Sequence, residues 1–201
     1  MNEAKNMNIS RRVLLSSVSG VVAMASLPAF ALSTNNGQAF VEKAVGDLEG
    51  IMNSGKSGGA LQSAVGGFFR KYADVPTIAR AVLGAPWRGM DGGQRNAYVA
   101  AFEGYAVRKY SSSFKSFSGG KAQIVNVRDG GKAGVLVDVD FVKAGQSPSK
   151  LQVQVSDGGG SAKILDMKVE GVSMIGTERE QVRSLLAQNG GDVNKLIAAL
   201  S

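Results

Sequence analysis

Gly50, Gly55, Lys56 and Ser57 stand at the spacing of a phosphate-binding loop, in which backbone N–H groups cradle phosphates, the Lys reaches them and the Ser hydroxyl meets magnesium. Val135, Leu136, Val137 and Asp138 imitate the acidic strand that would complete such a site. That chemistry needs a buried parallel strand directly ahead of the loop. The residues before Gly50 instead carry Glu42, Lys43, Asp47 and Glu49 at helical spacing, and in a chain with 27 glycines a chance match is expected. We therefore set the nucleotide reading aside. The sequence contains neither Cys nor His. Their absence removes disulfides, thiolate and imidazole metal ligands, haem and iron–sulfur ligation, and every nucleophile activated by His. Any chemistry would have to run on carboxylates, Lys, Tyr or Ser, and Ser173 has no imidazole to activate it. Asp138 and Asp140 share a strand face, but it is the face expected to meet solvent.

The aromatic residues are more suggestive. Phe68, Phe69, Tyr72, Tyr98, Phe102 and Tyr105 recur at helical spacing and are accompanied by Ala64, Gly66, Gly67, Ala97, Ala100, Ala101 and Gly104. Aromatic sets of this kind ordinarily form core. The small residues keep the helix surfaces thin, so that space could remain between those helices and a sheet of Val, Leu and Met.

Several elements must position these groups. Phe40, Val41, Ala44, Val45, Leu48, Ile51 and Met52 predict an amphipathic first helix, and Leu61, Val65, Phe68, Phe69 and Tyr72 a second. Asp74 is placed to cap a short helix ending at Gly84, and Asp91 to cap a longer one through Tyr110. From Lys121 the period changes to two, with Val125 and Val127, then Val135, Val137, Val139 and Phe141, then Leu151, Val153 and Val155, then Leu165, Met167 and Val169. Four strands are indicated. Their short connections exclude crossover helices and predict an antiparallel meander with one polar and one apolar face. Thr177 and Glu180 read as a capping box for a further helix, and Asp192 caps a last one. The fold class is α+β: N-terminal helices, a four-stranded curved sheet and C-terminal helices, with an apolar pocket between sheet and helices.

The first 31 residues read as an export signal, with Arg11 and Arg12 ahead of an apolar run from Val13 to Ala25 and the small-residue site Ala29, Phe30, Ala31. Ser10 to Leu15 resembles the twin-arginine signal. Residues 32–201 then form a single domain, expected in the periplasm. The chain has 23 basic and 16 acidic side chains; removal of Lys5, Arg11, Arg12 and Glu3 with the leader leaves 20 against 15, a mild +5. Such a scattered field suits anionic headgroups, an acidic partner face or simply a solvated surface, and nucleic acid is not expected in that compartment.

One segment is specific beyond its composition. Glu170, Gly171, Val172 and Ser173 follow the last strand, and together with Val82, Leu83, Gly84, Trp87, Gln94, Phe102, Tyr110 and Asp166 they resemble the MlaC family of periplasmic phospholipid-binding proteins, also called toluene-tolerance proteins. The resemblance runs in order from about Phe40 to Leu200. It implies a phospholipid carrier without a cofactor, serving an outer-membrane lipoprotein complex on one side and the substrate-binding component of an inner-membrane ABC transporter on the other. The acyl chains of its cargo would lie against Phe68, Phe69, Tyr72, Val82, Trp87, Tyr98, Phe102, Tyr105, Val137, Val139, Phe141, Val153, Val155, Met167 and Val169. Trp87 either closes the rim of the core or stands at the pocket mouth near the lipid glycerol. The competing reading is an enzyme on a cone-shaped α+β fold, with a buried carboxylate or Tyr acting on an apolar substrate.

Overall fold

The computed structural model describes residues 32–158 and 160–201, and the side chains of these residues outside 114–116. The expected export signal lies outside the described residues. Among the described residues, six α-helices and five strands follow in the order α1 (Thr34–Met52), α2 (Gly58–Tyr72), α3 (Val75–Leu83), α4 (Gly92–Phe117), β1 (Lys121–Asp129), β2 (Val135–Val142), β3 (Ser149–Ser156), β4 (Lys163–Val169), β5 (Val172–Ser173), α5 (Met174–Gln188) and α6 (Val193–Leu200). A 3-10 turn, Ala85–Gly89, joins α3 to α4. Among the described residues, no helix is long and apolar enough to cross a membrane.

Local chemistry explains the helix starts. Asp74 accepts from Thr77 N at 3.1 Å, and Asp192 from Asn194 N at 2.8 Å. Asp91 and Gln94 bond reciprocally, Gln94 N to the Asp91 carboxylate at 2.7 Å and Asp91 N to Gln94 Oε1 at 3.2 Å. Each satisfies backbone donors that a helix leaves unpaired in its first turn. The expected caps at Asp74, Asp91 and Asp192 are thus present. The expected box at Thr177 and Glu180 is not the start of α5. That helix begins at Met174, capped by Ser173, which accepts from Gly176 N at 3.1 Å.

The sheet is an antiparallel meander in the order β1-β2-β3-β4-β5. Its fifth strand has only two residues and was not expected. Glu170 (φ 49°) and Gly171 (φ 81°) both take the left-handed conformation, the signature of a two-residue hairpin, and fold Val172 back onto Val169. Two bulges correct the apolar pattern read from the sequence. A register shift between Ile124 and Asn126 turns Val125 outward, 55% exposed, and leaves Ile124 and Val127 against the core. A second shift opposite Gln154 and Val155 pairs Ile164 with Val155 and leaves Leu165 without a cross-strand partner.

α1 lies across β1, β2 and β3. Gly37 makes this approach possible, since a Cβ there would come within 2.6 Å of Val135 Cγ1. The loop at Gly55 to Ser57 follows helix α1, not a strand, and Asp138 sits in an antiparallel sheet, so the phosphate-loop spacing has no matching architecture.

Candidate functional site

The apolar interior is divided. One cluster joins Val75, Ala79, Val82 and Leu83 of α3 to Tyr98, Ala101 and Phe102 of α4, Val182 of α5, and Leu196 and Leu200 of α6. The other joins Val41 of α1 to Val135, Val137 and Val139 of β2 and Val153 and Val155 of β3. Each fully buried Val contributes about 1.5–3 kcal/mol, so either cluster is a substantial core by itself. Among the described residues, none that is buried belongs to both.

α4 makes its main contacts with α2, α3 and α6, while α1 covers the sheet. At its C-terminal end α4 meets β2, where the Phe117 and Phe141 rings stand edge to face at 5.1 Å. Outside the buried residues of the two clusters stands a set of half-buried apolar side chains, called the seam below. Phe68 and Phe69 enter it from α2 and Tyr110 from α4, with the Phe69 and Tyr110 rings 6.5 Å apart. Leu151, Met167 and Val169 enter it from the sheet, on the same face as buried Val153, because Met167 pairs with Val153 and Val169 with Leu151. At the Phe117 end a cleft of about 140 Å³ opens, lined by Phe117, Phe141, Lys143, Gln146, Ser147 and Ser149. A shallower groove of about 380 Å³ separates α1 from the edge strand β1, between Glu42, Val45 and Glu49 on one side and Ala122 and Ile124 on the other.

The residues singled out from the sequence fall into three settings. Val82, Tyr98 and Phe102 are buried in the helical cluster, with Phe69, Trp87 and Tyr105 packed around it. Val137, Val139, Val153 and Val155 are buried in the sheet cluster. Phe68, Met167 and Val169 belong to the half-buried seam, Phe141 is buried against Phe117, and Tyr72 braces α2 against α1 through Phe40 and Asp47. The Trp87 ring meets Tyr98 edge to face and carries the Arg95 guanidinium over its face at 5.5 Å. Arg95 also donates to the Trp87 carbonyl at 3.3 Å, which fixes the 3-10 turn to α4.

A polar node between α4 and α5 was not read from the sequence. Glu178 of α5 is buried, only 4% exposed, and it reaches across to α4. There it accepts from Lys109 Nζ at 2.6 Å, from Tyr105 Oη at 3.1 Å and from Tyr110 Oη. Lys109 donates also to Tyr105 Oη at 3.1 Å. Burial is the largest influence on both phenols and pushes their pKa up, and the Glu178 charge adds to it. Burial alone would lower the Lys109 pKa, but its bonds to Glu178 and Tyr105 outweigh this and raise it. These bonds hold the Lys109 side chain in its ammonium form. The signal that could have found it is spacing: Glu178 falls in line with Ile175, Val182 and Leu185 on the apolar stripe of α5. A second buried hydroxyl, that of Tyr98, has no hydrogen-bond partner among the described residues.

The segment after the last strand is scaffolding. Asp166 of β4 accepts from Ser173 Oγ at 2.6 Å and from Ile175 N at 3.1 Å, so the Ser173 hydroxyl is committed to orienting α5. Glu170 accepts from Lys150 N at 2.7 Å and thereby ties the hairpin to β3. Among the described residues no three carboxylates gather into a metal site.

The family model of the MlaC protein matches residues 42–201, four-fifths of the chain, from within α1 through every later element. The chain belongs to the MlaC family. This MlaC-family fold is also similar to a solved structure, a phospholipid-binding protein from Ralstonia solanacearum in complex with a phospholipid. The two share 19% sequence identity with a TM-score of 0.67, over 81% of this chain and 93% of that one. At that identity the likeness concerns the fold: the same arrangement of helices and curved antiparallel sheet.

Proposed function

We propose that this protein is a phospholipid carrier of the periplasm that holds the acyl chains of its cargo in the seam between sheet and helices. The observation that carries the reading is the fold itself, matched over 93% of a protein whose structure holds a phospholipid. The divided interior supports it. Two separate apolar clusters, with half-buried Phe68, Phe69, Met167 and Val169 outside their buried residues, leave a surface that an acyl chain covers without dismantling either core. Burial at roughly 0.8 kcal/mol per CH₂ lets even one acyl chain provide most of a tight binding free energy. The cleft at Phe117 and Phe141, about 140 Å³, is smaller than the roughly 300–1,000 Å³ of a small-molecule pocket, so it takes only part of a lipid.

Membership of the family supports a shuttle between an outer-membrane lipoprotein complex and an inner-membrane ABC transporter, after export under the signal at residues 1–31. The cargo is carried unchanged, and Ser173 and Asp166 hold the fold. The test is transfer of a fluorescent phospholipid from donor to acceptor vesicles. Transfer should rise in proportion to protein concentration, with the lipid recovered intact. A rate independent of protein, or recovery of hydrolysed lipid, would contradict the reading.

A further inference from the structure

We propose that Lys109 is the contact for the lipid phosphate, an inference that rests on the carrier reading above. Glu178 lies on α5, which packs on α3, α6 and β4, and its carboxylate ties α5 to α4. Its side chain is 5% exposed, whereas that of Lys109 is 36% exposed. The node thus buries its negative end and turns its positive end outward.

Lys109 is also held in place. Its ammonium is bonded to Glu178 Oε1 and Tyr105 Oη and lies over the rings of Tyr105 and Tyr110, at 5.4 and 5.7 Å from their centroids. An ammonium has three donors, so one N–H remains uncommitted by these hydrogen bonds. The stem is fixed before any ligand arrives, which removes most of the ordering cost that a free surface lysine would meet. Tyr110 in turn contacts the half-buried Phe69 ring, so this partly exposed cation lies one aromatic ring away from the apolar side chains of the seam. A glycerophospholipid with its chains in the seam has one anionic group common to all headgroups, the phosphate diester, at the boundary between its apolar and polar parts. A single fixed ammonium there reads the phosphate and ignores what is esterified to it.

The inference makes a sharp distinction among lipids of matched acyl chains. The probes are phosphatidylethanolamine, phosphatidylglycerol and diacylglycerol, competed for the purified protein and read by native mass spectrometry. Wild type should favour both phospholipids over diacylglycerol by about tenfold or more, the range expected for one hydrogen bond to a charged group. The double variant Lys109→Met/Glu178→Gln removes both charges together and leaves no buried carboxylate unpaired. It should bind diacylglycerol as wild type does and lose the preference for phosphate. Lys109→Arg should retain the preference, and Lys109→Gln, which keeps a donor for Glu178 without the charge, should lose it even if the double variant does not fold. A preference that survives in Lys109→Gln, or a wild type that loads all three lipids equally, would overturn the inference while leaving the carrier intact. Failure of wild type to load any of them would overturn the carrier reading and this one with it.

Discussion

Ser173 donates its hydroxyl to Asp166 across 2.6 Å and with the same oxygen accepts the N–H of Gly176, so one side chain joins the last long strand to the first turn of α5. The direction of α5 follows from this joint, and with it the placement of Glu178 opposite Tyr105, Lys109 and Tyr110.

Ser173→Ala should therefore lower stability by about 1–2 kcal/mol, the usual cost of losing a helix cap. Asp166→Asn should cost a similar amount, and the double variant should cost less than the two together because the groups share one network. Chemical denaturation of the three variants measures this directly. Fully additive losses would mean that the two residues act independently.

Stability should fall in acid. Asp47 accepts from Lys71 Nζ at 2.6 Å and from Tyr72 Oη at 2.5 Å, and these bonds, that of Lys71 first, hold its pKa below the ordinary 3.8. Burial raises the pKa of Asp138, but bonds from Gln152, Asn126 and Arg128 outweigh it and the net direction is again down. Carboxylates lowered in the folded state stabilise it fully above their unfolded pKa and lose that contribution as pH falls through the folded value. Urea midpoints should be flat from neutral pH to about 5 and then decline below about 4. Lys71→Met should flatten part of that acid decline.

Met167 and Val153 face each other across β3 and β4 but differ in burial, and they separate the seam from the core. Met167→Glu should abolish lipid retention with the domain still folded, because its side chain is only half-buried and an unpaired charge is tolerated by the protein but not by an acyl chain. Val153→Glu should destabilise the domain outright. Asp140→Ala, on the polar face where Asp140 pairs with Lys150, should retain lipid. Retention of lipid by Met167→Glu would remove β4 from the site.

Replacing Arg11 and Arg12 by Lys should trap precursor in the cytoplasm if export uses the twin-arginine route, whose receptor reads the guanidinium pair. Fractionation of cells expressing the variant decides this, and an unchanged periplasmic yield would leave ordinary secretion.

Much of the fold was legible because the rules that make it are local. The caps at Asp74, Asp91 and Asp192 sit within three residues of the donors they satisfy, and the apolar alternation from Val135 to Phe141 needs no knowledge of the rest of the chain. The bulge beside Val125 depends on pairing with β2, and the early start of α5 depends on a carboxylate from β4, so neither is visible in its own segment. The seam was legible only as an unusual mixture of aromatic and small residues. Glu178 was not, because its meaning lies in a partner 69 positions away.

The central claim is tested most directly by native mass spectrometry of the protein purified without detergent from cells that express it. The account predicts a population heavier than the polypeptide by the mass of a phospholipid, which dissociates to an intact lipid and reforms when the emptied protein meets vesicles. A protein that carries no lipid and acquires none from phospholipid vesicles would contradict it.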